Sequence, residues 1–426
     1  MNEQFLQYIW KNKLLKTKSV TTKQGDSVDI LDFGKENKDA GPDFLNSKIK
    51  IDNILWAGNV EIHVNRSDWY KHNHHKDENY KNIILHVVYK DDIDENASHL
   101  ANIPTLEINN LFDKELYYKY QTFIQSKNWI PCQHNLNDVQ SIIVMNWLNR
   151  LLVERLERKA EEIEHYLNFF KNDWLETLYF FLSKNFGFKK NSTGFEMLAK
   201  SLPYKILSKH RDQILQLEAL LFGQAGLLKE SYTESYPKEL LKEYSFLRKK
   251  YNLKPIDPKL WKFSKLRPPN FPTIRLSQFA HLIHASENLW EIMVKSNEPA
   301  EIRKLLDVKA SKYWDDHYVF EKISRGKPKK LGESCIDSIL INTIGPVMFV
   351  YGKQTINQGL CEKALHLFSE IKPENNSIIT NWTKNGIKSL NAADTQALIE
   401  LKKNYCTPKK CLQCAIGNAL LKKTLS

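Results

Sequence analysis

The sequence predicts an α/β N-terminal domain built on a mixed sheet, followed by a large, mainly α-helical domain. Strand-like patterns crowd into the first quarter of the chain, at 26–33, 48–52, 60–64, 82–89 and 103–108. They are period-two alternations or short β-branched apolar runs, the two forms a strand takes when one or both faces are covered. From Asp138 onward the apolar residues recur instead at three- and four-residue steps, the spacing of one helix face. The boundary is expected near residue 125, giving domains 1–125 and 126–426.

Between Glu3 and Leu15, Leu6, Trp10 and Leu14 stand four residues apart, so a short helix opens the chain and leans on the sheet. Asp26–Phe33 alternates as a strand and stops at Gly34. The polar loop Glu36–Gly41 delivers Pro42-Asp43 to a hairpin of residues 48–52 and 60–64, with Asn53 breaking the first run. Ser67 or Asp68 caps a helical turn. Asn82–Tyr89 is apolar almost throughout and is expected as a buried central strand. Ile103–Ile108 carries Pro104, which confines it to an edge. Residues 113–126 close the domain as a helix. Further helices are expected near 142–156, 173–186, 193–200, 207–222, 238–251, 276–284, 298–306, 360–371, 376–386 and 391–403.

The chemistry centres on Gly41-Pro42-Asp43-Phe44 and on Val60-Glu61-Ile62-His63-Val64. Alternation puts Glu61 and His63 on one side of their strand, roughly 6.5–7 Å apart. An acid at the mouth of the neighbouring strand can converge with them on one divalent cation, oxygen ligands suiting Mg²⁺ or Mn²⁺. The constellation resembles the PD-(D/E)xK nuclease superfamily, whose signature is Pro-Asp, a hairpin, then an acid two residues before a lysine. Pro42, Asp43 and Glu61 match, and His63 stands where the lysine belongs. The resemblance spans the N-terminal domain and implies a restriction-endonuclease-like fold, with Asp43 and Glu61 holding the metal for phosphodiester hydrolysis. A histidine is not a fixed cation at neutral pH, so Lys48 or Lys50 from the adjoining strand is the candidate for the missing ammonium, Lys50 first. If none serves, the chain is a nucleic-acid-binding or scaffold protein without catalysis. Over its whole length the chain also resembles an uncharacterised bacterial family, domain of unknown function 2851, which implies no established activity.

His63, His72, His74, His75, His86 and His99 fall close together in sequence. His72-Asn73-His74-His75-Lys76-Asp77 resembles the His-x-His-x-Asp-His motif of metallo-β-lactamase-like hydrolases, with the acid one position late and the final histidine missing. A second enzyme reading is therefore a metallo-hydrolase using His63, His72, His74 and Asp77. In the nuclease reading these residues border the metal. His75 and His99 are expected in a solvated turn, and His86 as a satisfied core histidine.

The chain carries a net charge of +12 and a pI near 9.1, which points to an anionic partner, nucleic acid first. Eleven Lys or Arg against three acids lie between Lys238 and Arg275, interleaved with Tyr244, Phe246, Tyr251, Trp261, Phe263 and Phe271. Lys259, Lys262, Lys265, Arg267 and Arg275 are the expected phosphate contacts, with the aromatics available for stacking on bases. At the C-terminus Cys406, Cys411 and Cys414 are spaced C-x₄-C-x₂-C, a metal or cluster fragment that lacks a fourth ligand. The superfamily resemblance implies an iron–sulfur cluster completed by Cys132. Zn²⁺ and simple packing of reduced thiols are the alternatives, and Cys335 and Cys361 read as core. No signal peptide, no run of apolar residues long enough for a membrane and no phosphate-binding glycine loop is found. A cytoplasmic protein using no nucleoside triphosphate and touching no membrane is expected.

Overall fold

Seven strands form one mixed sheet: β1 (Ser19–Thr21), β2 (Ser27–Asp32), β3 (Lys35–Glu36), β4 (Phe44–Ile51), β5 (Ile54–Asn65), β6 (Ile83–Lys90) and β7 (Thr105–Glu107). Their order is β1-β2-β4-β5-β6-β7, with β3 pairing β4. In this computed structural model residues 1–22, 25–93, 103–285, 289–295 and 299–423 are described; His99 lies outside them. Pairing is antiparallel up to β4–β5 and parallel for β5–β6 and β6–β7. The β4–β5 hairpin turns on Asp52 and Asn53, at φ 46° and 71°. Two consecutive positive φ values define the tight turn whose twist matches the strands, and Asn and Asp tolerate it best among residues with a side chain. β6 is buried from Ile83 to Val88, as its apolar run predicted, and β7 ends the path at the sheet edge.

Helix α1 (Glu3–Lys11) buries Phe5, Leu6, Ile9 and Trp10. The Trp10 indole donates to the Phe33 carbonyl at 2.9 Å, tying helix to sheet. The short α2 (Asp68–Lys71) follows β5, and α3 (Lys114–Gln125) stacks Tyr120 on Phe5. Both ladders of β5 shift register just before Glu61, between Phe44 and Ser47 on one side and between Asn59 and Val60 on the other. Gly58 sits at that shift; a Cβ there would come within 2.4 Å of Ile84 Cγ2. Such irregularities re-aim the side chains beside them.

The chain separates into two compact units, one of Met1–Trp147 with Lys402–Ser426 and one of Leu148–Leu401. The division falls inside the long helix α4 (Ser141–Phe169), and the C-terminal segment returns to the sheet-bearing unit. The second unit is mainly helical. The stretch 207–222, expected as one helix, is instead Tyr204–Ser208 and Ile214–Gln224, divided by a turn. A continuous helical run, Glu333–Gln354, is absent from the expected helices. A π turn over Leu340–Ile344 precedes Pro346 and frees the carbonyl its ring would otherwise strike. By length and composition this run is apolar enough to cross a membrane, but 72% of its most apolar window is buried inside the protein.

Candidate metal centre

Asp43 and Glu61 clasp each other through the backbone. The Asp43 N–H donates to Glu61 Oε2 at 3.0 Å, and the Ile62 N–H donates to Asp43 Oδ2 at 3.0 Å. The pairing of Phe44 with Val60 sets this geometry, placing the mouth of β4 beside the middle of β5. Gln7 of α1 donates to Asp43 Oδ1 at 2.8 Å. Glu61 Oε1 then faces the histidines: His63 Nε2 lies 3.6 Å away and His74 Nε2 3.5 Å. His72 Nδ1 lies 3.2 Å from His63 Nε2. One nitrogen from each of His63, His72 and His74 falls within 4.8 Å of the others.

These separations match a coordination polyhedron. Bonds of about 2.0–2.2 Å at tetrahedral angles put neighbouring ligands about 3.3–3.6 Å apart. Local structure explains the convergence. His72 caps α2, Asn73 turns left-handed at φ 62°, and His74 opens the following 3₁₀ turn, so two loop histidines swing to one side. Tyr80 lies on the His74 ring at 3.9 Å between centroids, and Trp69 meets its edge at 5.4 Å. His63 Nδ1 is 2.9 Å from His86 Nε2. If His63 Nε2 binds an ion, the proton belongs on Nδ1, which would then donate to His86. A ligating imidazole is usually oriented in this way by its other nitrogen. His86 is thus the satisfied core histidine expected, and its partner is a residue of the site.

Burial dominates the electrostatics. It raises Glu61 to about 9, helped by the adjacent Asp43, and raises Asp43 to about 6. It lowers His63 to about 3, with His74 and His72 adding to the shift, and lowers His86 to about 3. Without an ion the centre therefore favours neutral imidazoles and a protonated Glu61. His72 is exposed, so the cluster opens to solvent on that side.

Several expected site residues lie elsewhere. Lys50 pairs opposite Leu55 near the hairpin turn, roughly 20 Å along β5 from Glu61 at the rise of a strand. It brings no ammonium to the cluster. The Asp77 carboxylate accepts from the Asn79 N–H and caps the next turn, near enough to His74 to act on its charge, while Glu61 is the acid within 3.6 Å of both His63 and His74. His75 is exposed against Tyr70. In the helical unit Lys259, Lys262, Lys265 and Arg267 are exposed, whereas Arg275 is only 4% exposed. The Arg275 guanidinium bonds Gln278 and Asn270 over the Phe188 ring, so it is a core residue and not a phosphate contact. Tyr244 and Trp261 are buried too, and Phe246, 62% exposed, is the aromatic of that stretch most open to solvent. Two neighbours of the site escaped the sequence reading. Glu3 and Gln7 stand one turn apart on α1, and Glu3 lies close enough to Asp43, Glu61 and His72 to exchange charge effects with them. Their four-residue spacing marks one row of α1, but nothing in the sequence says which row faces Asp43.

Fold and cluster together define a protein with a mixed-sheet unit, a buried acid pair and a three-histidine cluster that could hold a metal ion. A family model described as "Protein of unknown function (DUF2851)" matches residues 3–377, and the chain belongs to that family. No curated protein and no solved structure gives a match.

Proposed function

We propose that the protein is a metal-dependent hydrolase of phosphodiesters in nucleic acid, with the ion held by Glu61, His63, His72 and His74. The observation that carries this reading is the gathering of one nitrogen from each of His63, His72 and His74 within 4.8 Å of the others, with Glu61 Oε1 within 3.6 Å of His63 and His74, beside the Asp43–Glu61 clasp. Three imidazoles and one carboxylate suit Zn²⁺ or Mn²⁺ better than Mg²⁺, which prefers oxygen ligands throughout. A bound divalent ion would polarise a phosphate oxygen and acidify the water it touches. Glu61 and the three histidines position it, and His86 fixes the His63 ring. Asp43, poised at about 6, accepts a proton near neutral pH, as a general base must. Tyr80, pushed up to about 12 mainly by burial, keeps its hydroxyl proton and can donate to an anionic oxygen. Nucleic acid is the substrate class that the net charge of +12 and the exposed Lys259, Lys262, Lys265 and Arg267 support.

The test is cleavage of single- and double-stranded DNA and RNA in Zn²⁺, Mn²⁺ or Mg²⁺, with Glu61→Ala and His74→Ala as controls. Metal-dependent cleavage lost in both variants supports the reading. Metal binding and nucleic-acid binding without cleavage would favour the scaffold reading, which the absence of Lys50 from the cluster already favours over a lysine-assisted nuclease.

A further inference from the structure

Four of the six cysteines gather in the sheet-bearing unit, at the place where the chain returns to it. Cys132 precedes a 3₁₀ helix, Gln133–Asp138. Cys411 opens another, and Cys414 caps the final helix, Ala415–Lys422, which packs against both Gln133–Asp138 and α3. The returning segment is tied down along its length. Lys402 donates to the Trp129 carbonyl at 2.6 Å, Lys409 donates to the Ile124 carbonyl, and Lys423 pairs with Asp138 at 3.4 Å. All four cysteines are free thiols. Each is largely buried, and Cys406 lies close enough to Cys414, Cys132 and Cys411 for their charges to act on it. Burial pushes Cys132 and Cys411 up to about 12, Cys414 acting on both.

Polar groups also act on the thiols. Ile416, Gly417 and Trp147 lie near enough to Cys414 to oppose the rise that burial causes, although its side chain makes no capping hydrogen bond. Lys402 and Lys409 place positive charge beside Cys406 and Cys411. Donors and cations of this kind stabilise sulfur as a thiolate, the form that ligates metal. Gly417 is required for the arrangement: a Cβ there would sit 2.3 Å from the Cys411 carbonyl oxygen. The turn carrying Cys411 and Cys414 is thus pressed onto the helix by a residue with no side chain.

We propose that Cys132, Cys406, Cys411 and Cys414 bind a soft metal centre, as a zinc ion or an iron–sulfur cluster, that staples the returning C-terminal segment to the sheet-bearing unit. Four thiolates are the donor set common to both centres. Among the described residues no three of these sulfurs lie within 4.8 Å of one another. A single tetrahedral zinc needs thiolate edges of about 3.8 Å, so it would draw the four inward, whereas a multi-iron core would occupy the wider space. The ligands straddle the whole excursion into the second unit, Cys132 before it and the other three after it. The centre therefore closes a very long loop, and its contribution to stability comes from the unfolded chain it constrains.

The full chain, purified without oxygen, is analysed for iron, acid-labile sulfide and zinc, with visible absorption recorded. About one cluster, with a brown colour, or one zinc per chain supports the proposal, and the two results separate the forms. Cys132→Ser should cut metal affinity at least ~10-fold, no less than losing an outer partner of a metal ligand does, while Cys361→Ser should leave it unchanged. Limited proteolysis covers the case where a variant folds poorly: removing the metal from unmutated protein should expose the segment after Leu401 to cleavage and spare the rest. Substoichiometric iron and zinc in anaerobic protein overturn the proposal. So does metal retained in full by Cys132→Ser.

Discussion

The histidine–acid cluster and the cysteine cluster belong to the same unit and are built on opposite plans. Glu61, His63 and His86 project from strands locked by ladders on both sides, Asp43 stands immediately before β4, and His72 and His74 come from a loop. The cysteines sit at turns and helix ends, where chain segments far apart in sequence meet. The first cluster lies on scaffolding that stands without an ion, and burial holds Glu61 protonated against its ordinary preference. The second has little local scaffolding of its own, and its ligands are the scaffold. A centre on strands can be spent on chemistry, because the fold does not depend on it; a centre at junctions holds the fold together.

Metal removal tests that contrast most severely. Stripping both centres should abolish hydrolysis through the first and free the segment after Leu401 through the second. Returning Mn²⁺ alone should restore neither the protease resistance nor the thermal stability. If adding ion to the histidine cluster restores the melting temperature in full, the division of labour is wrong.

Next in size is Asp43→Asn. Loss of a general base lowers kcat by about 10²–10⁴-fold, while the metal content of both centres should stay as in the unmutated protein. A kcat within a fewfold of the original removes Asp43 from the chemistry.

The acid pair also sets a pH dependence. In metal-free protein Glu61 titrates at about 9 when folded and near its ordinary value when unfolded. Between those limits the folded state binds more protons at this carboxyl, so its contribution to stability is greatest below the ordinary carboxyl range and falls as pH rises towards 9. Asp43 adds the same sign up to about 6. His63 and His86, lowered to about 3, act in the opposite sense below the ordinary histidine value. Glu61→Gln should flatten the decline, and urea midpoints of the chelated protein from pH 5 to 9 measure it. Metal must displace those protons, so affinity at this centre should rise over the same window. A slope unchanged in Glu61→Gln would deny the pair its role.

The smallest effect touches neither cluster. Charge reversal at Lys262, Lys265 and Arg267 should weaken nucleic-acid binding and shallow its salt slope by roughly 0.7–0.9 per lost phosphate contact. Metal content should not change. Arg275→Gln, by contrast, should lower stability and leave the salt slope alone, because Arg275 is buried. Equal salt slopes before and after the triple reversal would move the anion-binding surface elsewhere.

What the sequence disclosed follows from the range of the forces involved. Period-two alternation is local, so β2, the β4–β5 hairpin and the pairing of Glu61 with His63 on one face were all legible. The clasp between Asp43 and Ile62 needed only the hairpin register. His72 and His74 were visible as composition, but their convergence depends on Asn73 adopting a left-handed conformation. Glu3 and Gln7 were invisible as site residues because nothing local says which polar row of α1 faces Asp43. Arg275 was misread because a charge run carries no record of which member folds inward. The Glu333–Gln354 helix, absent from the expected helices, contains Pro346, whose cost a π turn removes.

The return of residues 402–426 to the sheet-bearing unit has a consequence for biosynthesis. A chain emerging from the ribosome presents α1, the sheet and α3 long before the three late cysteines exist. Domains generally fold as they appear, N-terminal first, so the sheet must wait with the surface around Ile124, Trp129 and Cys132 uncovered while the entire helical unit is made. Completion of the first unit therefore follows synthesis of the whole of residues 148–401. A nascent chain stalled anywhere before Cys406 would carry the histidine cluster and lack the staple.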